Sequence, residues 1–164
     1  MEEKHYYSII MQRFEELFES KGCKVYLEVT AEGFSNKLKE QIPDHKHIIF
    51  SFLGTKGARP DITGFIEDKY LKDFIVVEVK DEKIKLDHIY QLRKYTDLFN
   101  AKFAFLVSTE EIPAEIKALT KVILPLLWRD YPLPKLTLVH FDKNTNEFVQ
   151  WFEENPFEKE TYWR

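Results

Sequence analysis

The stretch FIVVEVKDEK, Phe74 to Lys83, decides how this chain is read. Its apolar run with β-branched residues predicts a strand. Side chains on a strand alternate faces, so Val77 and Val79 share one face and Val76, Glu78 and Lys80 share the other. Two readings of that second face are open at this point. Either its end is simply solvated, or two opposite charges are held over a site. The preceding stretch, DITGFIE (Asp61–Glu67), predicts a second strand, and KYLKD turns the chain between the two. In an antiparallel pair joined this way, the start of the first strand lies beside the end of the second. Asp61 therefore meets Glu78 and Lys80 at one edge of the sheet. Two adjacent carboxylates repel each other unless a cation sits between them, and oxygen donors of this kind suit Mg²⁺ or Mn²⁺. The Lys80 ammonium alongside is placed to orient a water or to stabilise charge on a phosphate.

Working outward, Ile10, Phe14 and Leu17 follow helical spacing, with Tyr7 and Phe18 beside them, and predict a first helix over Lys4–Ser20. Gly22 stands at its expected C-terminal cap. KVYLEVT (Lys24–Thr30) predicts a strand with Val25, Leu27 and Val29 on one face. The polar stretch from Ala31 to His47 holds a short helix around Asn36–Gln41, ended by Pro43. HIIFSFL (His47–Leu53) predicts another strand, and GTKGARP (Gly54–Pro60) a loop. Beyond the central hairpin come an amphipathic helix (Leu86–Asn100) and a buried strand (Ala101–Ser108). A helix opened by Pro113 and interrupted by Pro125 follows, then a hairpin of Lys135–Phe141 and Phe148–Phe152. Phe157, Tyr162 and Trp163 are expected to dock on the domain, with base stacking as the alternative. The order of elements predicts an α/β fold, a sandwich with a central mixed sheet covered by helices.

The chain has 164 residues, 44% of them apolar and 32% charged, which fits one globular domain with a proper core over 1–164. A formal net charge of -4 argues against indiscriminate polyanion binding but leaves room for a local basic groove. The lone Cys23 forms no internal disulfide, which favours a reducing, cytoplasmic setting. No export signal and no apolar run of about 18 residues is present, so no membrane partner is expected. The histidines lack zinc-ligand spacing. His88 falls one turn from Gln91, where a surface position is the plainer reading.

Pro60-Asp61 followed by Glu78-Val79-Lys80 resembles the PD-(D/E)xK nuclease superfamily. QLRKY adds Gln91 and Tyr95 one helical turn apart, similar to the QxxxY element of RecB-like branches. The resemblance covers residues 1–108 as a nuclease-like core and leaves 109–164 as a helix plus a C-terminal hairpin extension. It implies a restriction-endonuclease-like α/β/α sandwich and metal-dependent hydrolysis of phosphodiesters in DNA, with RNA not excluded, in repair, recombination or defence. It further implies Mg²⁺ or Mn²⁺ held by Asp61, Glu78 and the Val79 carbonyl, and a water positioned by Lys80. Gln91 then orients Lys80 or touches substrate. Tyr95 supports the helix or contacts phosphate, and Lys56 and Arg59 contact backbone phosphates. The family often adds a glutamate from the first helix. Glu15, at the rim of the apolar stripe between Met11 and Phe18, is the expected ligand ahead of Glu16. Archaeal Holliday-junction resolvases are also similar, but the QxxxY element, the hairpin and the acidic charge depart from them. The alternative function is a catalytically inactive module that binds nucleic acid or serves as a protein-interaction subunit. A homodimer or a place in a larger complex is open.

Overall fold

The computed structural model describes residues 3–54, 58–67, 72–129 and 134–163. Helix α1 (Lys4–Ser20) precedes strand β1 (Lys24–Val29), helix α2 (Asn36–Glu40) and a 3₁₀ helix (Asp44–Phe52). Strands β2 (Ile62–Glu67) and β3 (Asp73–Lys80), helix α3 (Leu86–Phe99), strand β4 (Phe103–Ser108) and helix α4 (Ala114–Val122) follow. A 3₁₀ turn (Leu124–Leu126), strands β5 (Thr137–Asp142) and β6 (Glu147–Trp151), and two 3₁₀ segments (Pro156–Glu158, Glu160–Trp163) complete the described chain.

The strands form one six-stranded mixed sheet in the order β1-β2-β3-β4-β5-β6. β1, β2 and β3 are mutually antiparallel, β3, β4 and β5 run parallel, and β6 closes antiparallel to β5. Parallel neighbours need crossovers, and α3 and α4 supply them. β3 and β4 are covered on both faces, which is why IVVEV and FAFLVS are apolar almost without alternation.

α1 lays Tyr7, Ile10, Phe14 and Phe18 on one face of the sheet, against Val77, Val79, Phe103 and Phe105. α3 lays Ile89, Leu92, Tyr95 and Phe99 on the opposite face, against Val76, Ala104 and Leu106. Both helices end in the same way. Gly22 (φ 80°) and Asn100 (φ 48°) take left-handed backbone conformations just past the last helical residue. Cys23 N then donates to Phe18 O and Ala101 N to Thr96 O, satisfying carbonyls that a helix end leaves open.

One predicted strand is absent. His47–Leu53 belongs to the 3₁₀ helix and its C-terminal cap, not to the sheet. The reason is register: β1 pairs directly with β2 from Lys24↔Glu67 to Val29↔Ile62, so no slot exists between them. The apolar residues pack sideways, with Phe50 on Phe34 and Phe99 at ring-centroid distances of 5.3 and 6.3 Å. β1 also departs from expectation, since only Leu27 of its apolar trio is buried and Val29 is exposed at an outer strand. The C-terminal aromatics dock as expected. Phe157 is buried, and Trp163 stacks on Phe103 at 5.0 Å and on Phe157 at 5.5 Å. Among the described residues no helix is long and apolar enough to cross a membrane.

Candidate active site

The β2–β3 register sets Ile62 opposite Val77, so Asp61, one residue before β2, arrives beside Glu78. On its other side β2 lies unusually close to β1, at Gly64. A Cβ there would stand 1.9 Å from the Tyr26 carbonyl oxygen, so only glycine lets β1 lie this close to β2. The start of β2 is then pinned from β1. Thr30 N donates to Asp61 O at 2.8 Å, and the buried Thr30 hydroxyl donates to Pro60 O at 2.6 Å.

Both carboxylates are buried, Asp61 at 8% exposure and Glu78 at 2%. Asp61 Oδ1 accepts from the Tyr7 hydroxyl at 2.8 Å, and Oδ2 accepts from Val79 N at 2.7 Å. Asp61 N donates to Glu78 Oε1 at 3.2 Å, while Glu78 Oε2 lies 3.5 Å from Lys80 Nζ. The Asp61 side chain thus takes the place of the strand partner that Val79 lacks where β2 begins. Because a strand residue turns its N–H and C=O to the same side, the Val79 carbonyl faces this edge too. The Lys80 carbonyl faces away and accepts from Thr109 N at 3.0 Å.

The electrostatics follow from burial. Desolvation pushes the Asp61 carboxyl up to about 6, offset in part by the Val79 and Tyr7 hydrogen bonds and by Lys80. Glu78 is raised well above the usual carboxylate range by desolvation first and by the Asp61 charge second, with Lys80 pulling the other way. Burial and mutual repulsion therefore both favour a protonated form of the pair unless another positive charge joins them.

A cleft of ≈ 180 Å³ opens onto Asp61, Glu78, Lys80, Gln91, Arg59 and Tyr7. It unites the predicted Asp61, Glu78, Lys80, Gln91 and Arg59. Gln91 Nε2 donates to Tyr95 Oη at 3.0 Å, so the QxxxY pair forms one unit on α3. Tyr95 itself is fully buried beneath it, and desolvation followed by the Glu78 charge raises its hydroxyl. Arg59 donates to Gly54 O at 2.6 Å and to Ala31 O at 3.4 Å, which ties its loop to the cleft wall. Lys56 lies outside the described residues. Glu15 does not join the cleft. α1 meets it with Glu3, Lys4 and Tyr7, and Glu15 stands two helical turns further on, its carboxyl raised by partial burial and then by Glu19. His88 is used elsewhere, its Nδ1 accepting from Lys85 N at 3.0 Å to cap α3.

Sequence reasoning missed Tyr7 and Thr30 as site residues. Tyr7 sits in the apolar stripe of α1 and reads as core. The available signal was its chemistry, since a buried tyrosine needs a partner for its hydroxyl. A larger cavity of ≈ 650 Å³ lies by α3, lined by Tyr90, Arg93, Asp97 and Trp128 among others. Among the described residues it brings no pair of acids together, so chemistry selects the smaller cleft.

Among the described residues no group of three or more His, Cys, Asp or Glu side chains is arranged to hold a metal ion. Mg²⁺ does not require one, because it commonly binds through one or two carboxylates and keeps waters and substrate oxygens for its remaining positions. Two desolvated, mutually repelling carboxylates with a backbone carbonyl at the same edge match that donor set. No family model, curated protein or solved structure matches this chain.

Proposed function

We propose that the chain is a metal-dependent nuclease of restriction-endonuclease-like fold that hydrolyses phosphodiester bonds in DNA. The observation that carries this reading is the meeting of Asp61 and Glu78 from adjacent antiparallel strands, both carboxyls raised, with Lys80 Nζ 3.5 Å from Glu78. Asp61, Glu78 and the Val79 carbonyl would hold Mg²⁺ or Mn²⁺, which supplies Lewis acidity toward phosphate and water. The side chains of the cleft do the rest. Lys80, 16% exposed at its side chain, has N–H donors beyond its contact with Glu78 to orient a water or to neutralise a phosphate oxygen. Tyr95 anchors the Gln91 amide at the cleft wall, where it lies in reach of the same water or of substrate. Arg59 lines the rim as a fixed cation for the phosphate backbone.

The test is cleavage of supercoiled plasmid and end-labelled single-stranded DNA with Mg²⁺, with Mn²⁺ and with chelator. Hydrolysis that needs the cation and falls by about 100-fold or more in Glu78→Gln is expected. Undiminished cleavage by a Glu78→Gln, Lys80→Ala double variant, or in chelator, would place the activity elsewhere.

A further inference from the structure

We infer that Tyr7 is a positioning residue for the cation site: its hydroxyl holds Asp61 in the orientation that binds a divalent ion. This rests on the metal-dependent reading above. The two oxygens of Asp61 are fixed from opposite directions. Val79 N, on the sheet, holds Oδ2 at 2.7 Å, and Tyr7, on the covering helix, holds Oδ1 at 2.8 Å. A carboxylate held at both oxygens resists rotation, and Asp61 lines the cleft in that orientation. Without the hydroxyl, the single bond from Val79 leaves the group free to turn about its Cβ–Cγ axis.

Three features make this more than a core contact. Tyr7 lines the cleft itself, together with Asp61, Glu78 and Lys80. It is 7% exposed, and its ring packs in the cluster that joins α1 to β3, so the hydroxyl is delivered by a rigid element. A tyrosine hydroxyl is also a neutral donor. It orients Asp61 without adding negative charge to a cleft already lined by Glu3, Glu32, Asp61 and Glu78. Groups that orient a metal's ligands through such hydrogen bonds typically change affinity by about 10–100-fold when removed.

The experiment measures Mn²⁺ binding to the whole chain by titration calorimetry and by the electron paramagnetic resonance of the bound ion, in wild type, Tyr7→Phe, Asp61→Asn and the double variant. Tyr7→Phe removes one oxygen and keeps the ring, and thermal unfolding of the metal-free proteins checks that each folds. Wild type binding Mn²⁺ and Tyr7→Phe binding it about 10-fold or more weakly, with an altered resonance spectrum, supports the inference. Once Asp61 is Asn, adding Tyr7→Phe should change nothing further. Equal affinity and an unchanged spectrum in Tyr7→Phe would overturn the positioning role and leave the nuclease reading standing. No Mn²⁺ binding by folded wild type would remove both. Should Tyr7→Phe not fold, Tyr7→Met, which keeps a long apolar side chain and has no O–H donor, replaces it; Mn²⁺ binding about 10-fold or more weaker supports the role, and binding at the wild-type level overturns it.

Discussion

Asp61 shows how one residue can depend on three elements at once. Its backbone carbonyl is held by β1, its N–H by β3, and its carboxylate by β3 and α1. The cost of that position is electrostatic. Burial raises the carboxyl from its ordinary 3.8 to about 6, so between those values the folded chain holds a proton that the unfolded chain has released. Stability then falls as pH rises through this window, at up to about 1.4 kcal/mol per pH unit, and stays lower above it. Glu78, raised as well, acts in the same direction. The metal-free protein is therefore expected to lose thermal stability from pH 5 to pH 7 relative to Asp61→Asn, and Mg²⁺ or Mn²⁺ should narrow the gap. Scanning calorimetry of both proteins in chelator and in metal checks this. A difference curve that is flat or rises with pH contradicts it.

At the scale of elements, the site depends on how closely β1 approaches β2. Gly64 is the residue that allows it, with Tyr26 O 1.9 Å and Leu27 Cα 2.8 Å from where a Cβ would stand. The obstacles are backbone, which a side-chain rotation does not relieve. Gly64→Ala is expected to push β1 away, weaken the Thr30 bonds to Pro60 and Asp61, and destabilise the fold by about 3 kcal/mol or more. For a chain of this size that lowers Tm by about 6–12 °C. Thermal unfolding monitored by circular dichroism measures it, and a wild-type Tm in the variant would show that the strands part without penalty.

The whole molecule is closed by its C-terminal end. Phe157 lies against Phe18 and Phe105 at 4.9 and 5.8 Å between ring centroids, and Trp163 covers both Phe103 and Phe157. These rings seal the face of the sheet that also carries α1, far along the chain from the PD and ExK segments. Phe157→Ala should cost about 3–5 kcal/mol. Because α1 delivers Tyr7, the same variant should also loosen the cleft, which hydrogen exchange of the Val79 amide reports. A stability loss under 1 kcal/mol, read from urea unfolding, would mean that the end is a loose cover and not part of the core.

Much of this was legible from local pattern. The apolar spacing of α1 and α3, the continuous runs of β3 and β4, and the glycine after α1 are rules of neighbouring residues, and the structure follows them. Asp61 and Glu78 were also readable as a pair, because antiparallel pairing of two strands close in sequence converts a sequence interval into a spatial one. His47–Leu53 was misread because its composition suits a strand while the sheet has no opening for it, and only the pairing of β1 with β2 excludes it. That Tyr7 and not Glu15 lines the cleft was not legible, for a related reason. Helical period tells which residues share a stripe, but which turn of α1 lies over the end of β2 depends on how the helix is laid across the sheet. The sequence alone determined most of the elements and the antiparallel pair that brings two acids together. Tertiary packing decided which hydroxyl meets Asp61, because long-range contacts are set by the fit of whole surfaces and not by spacing along the chain.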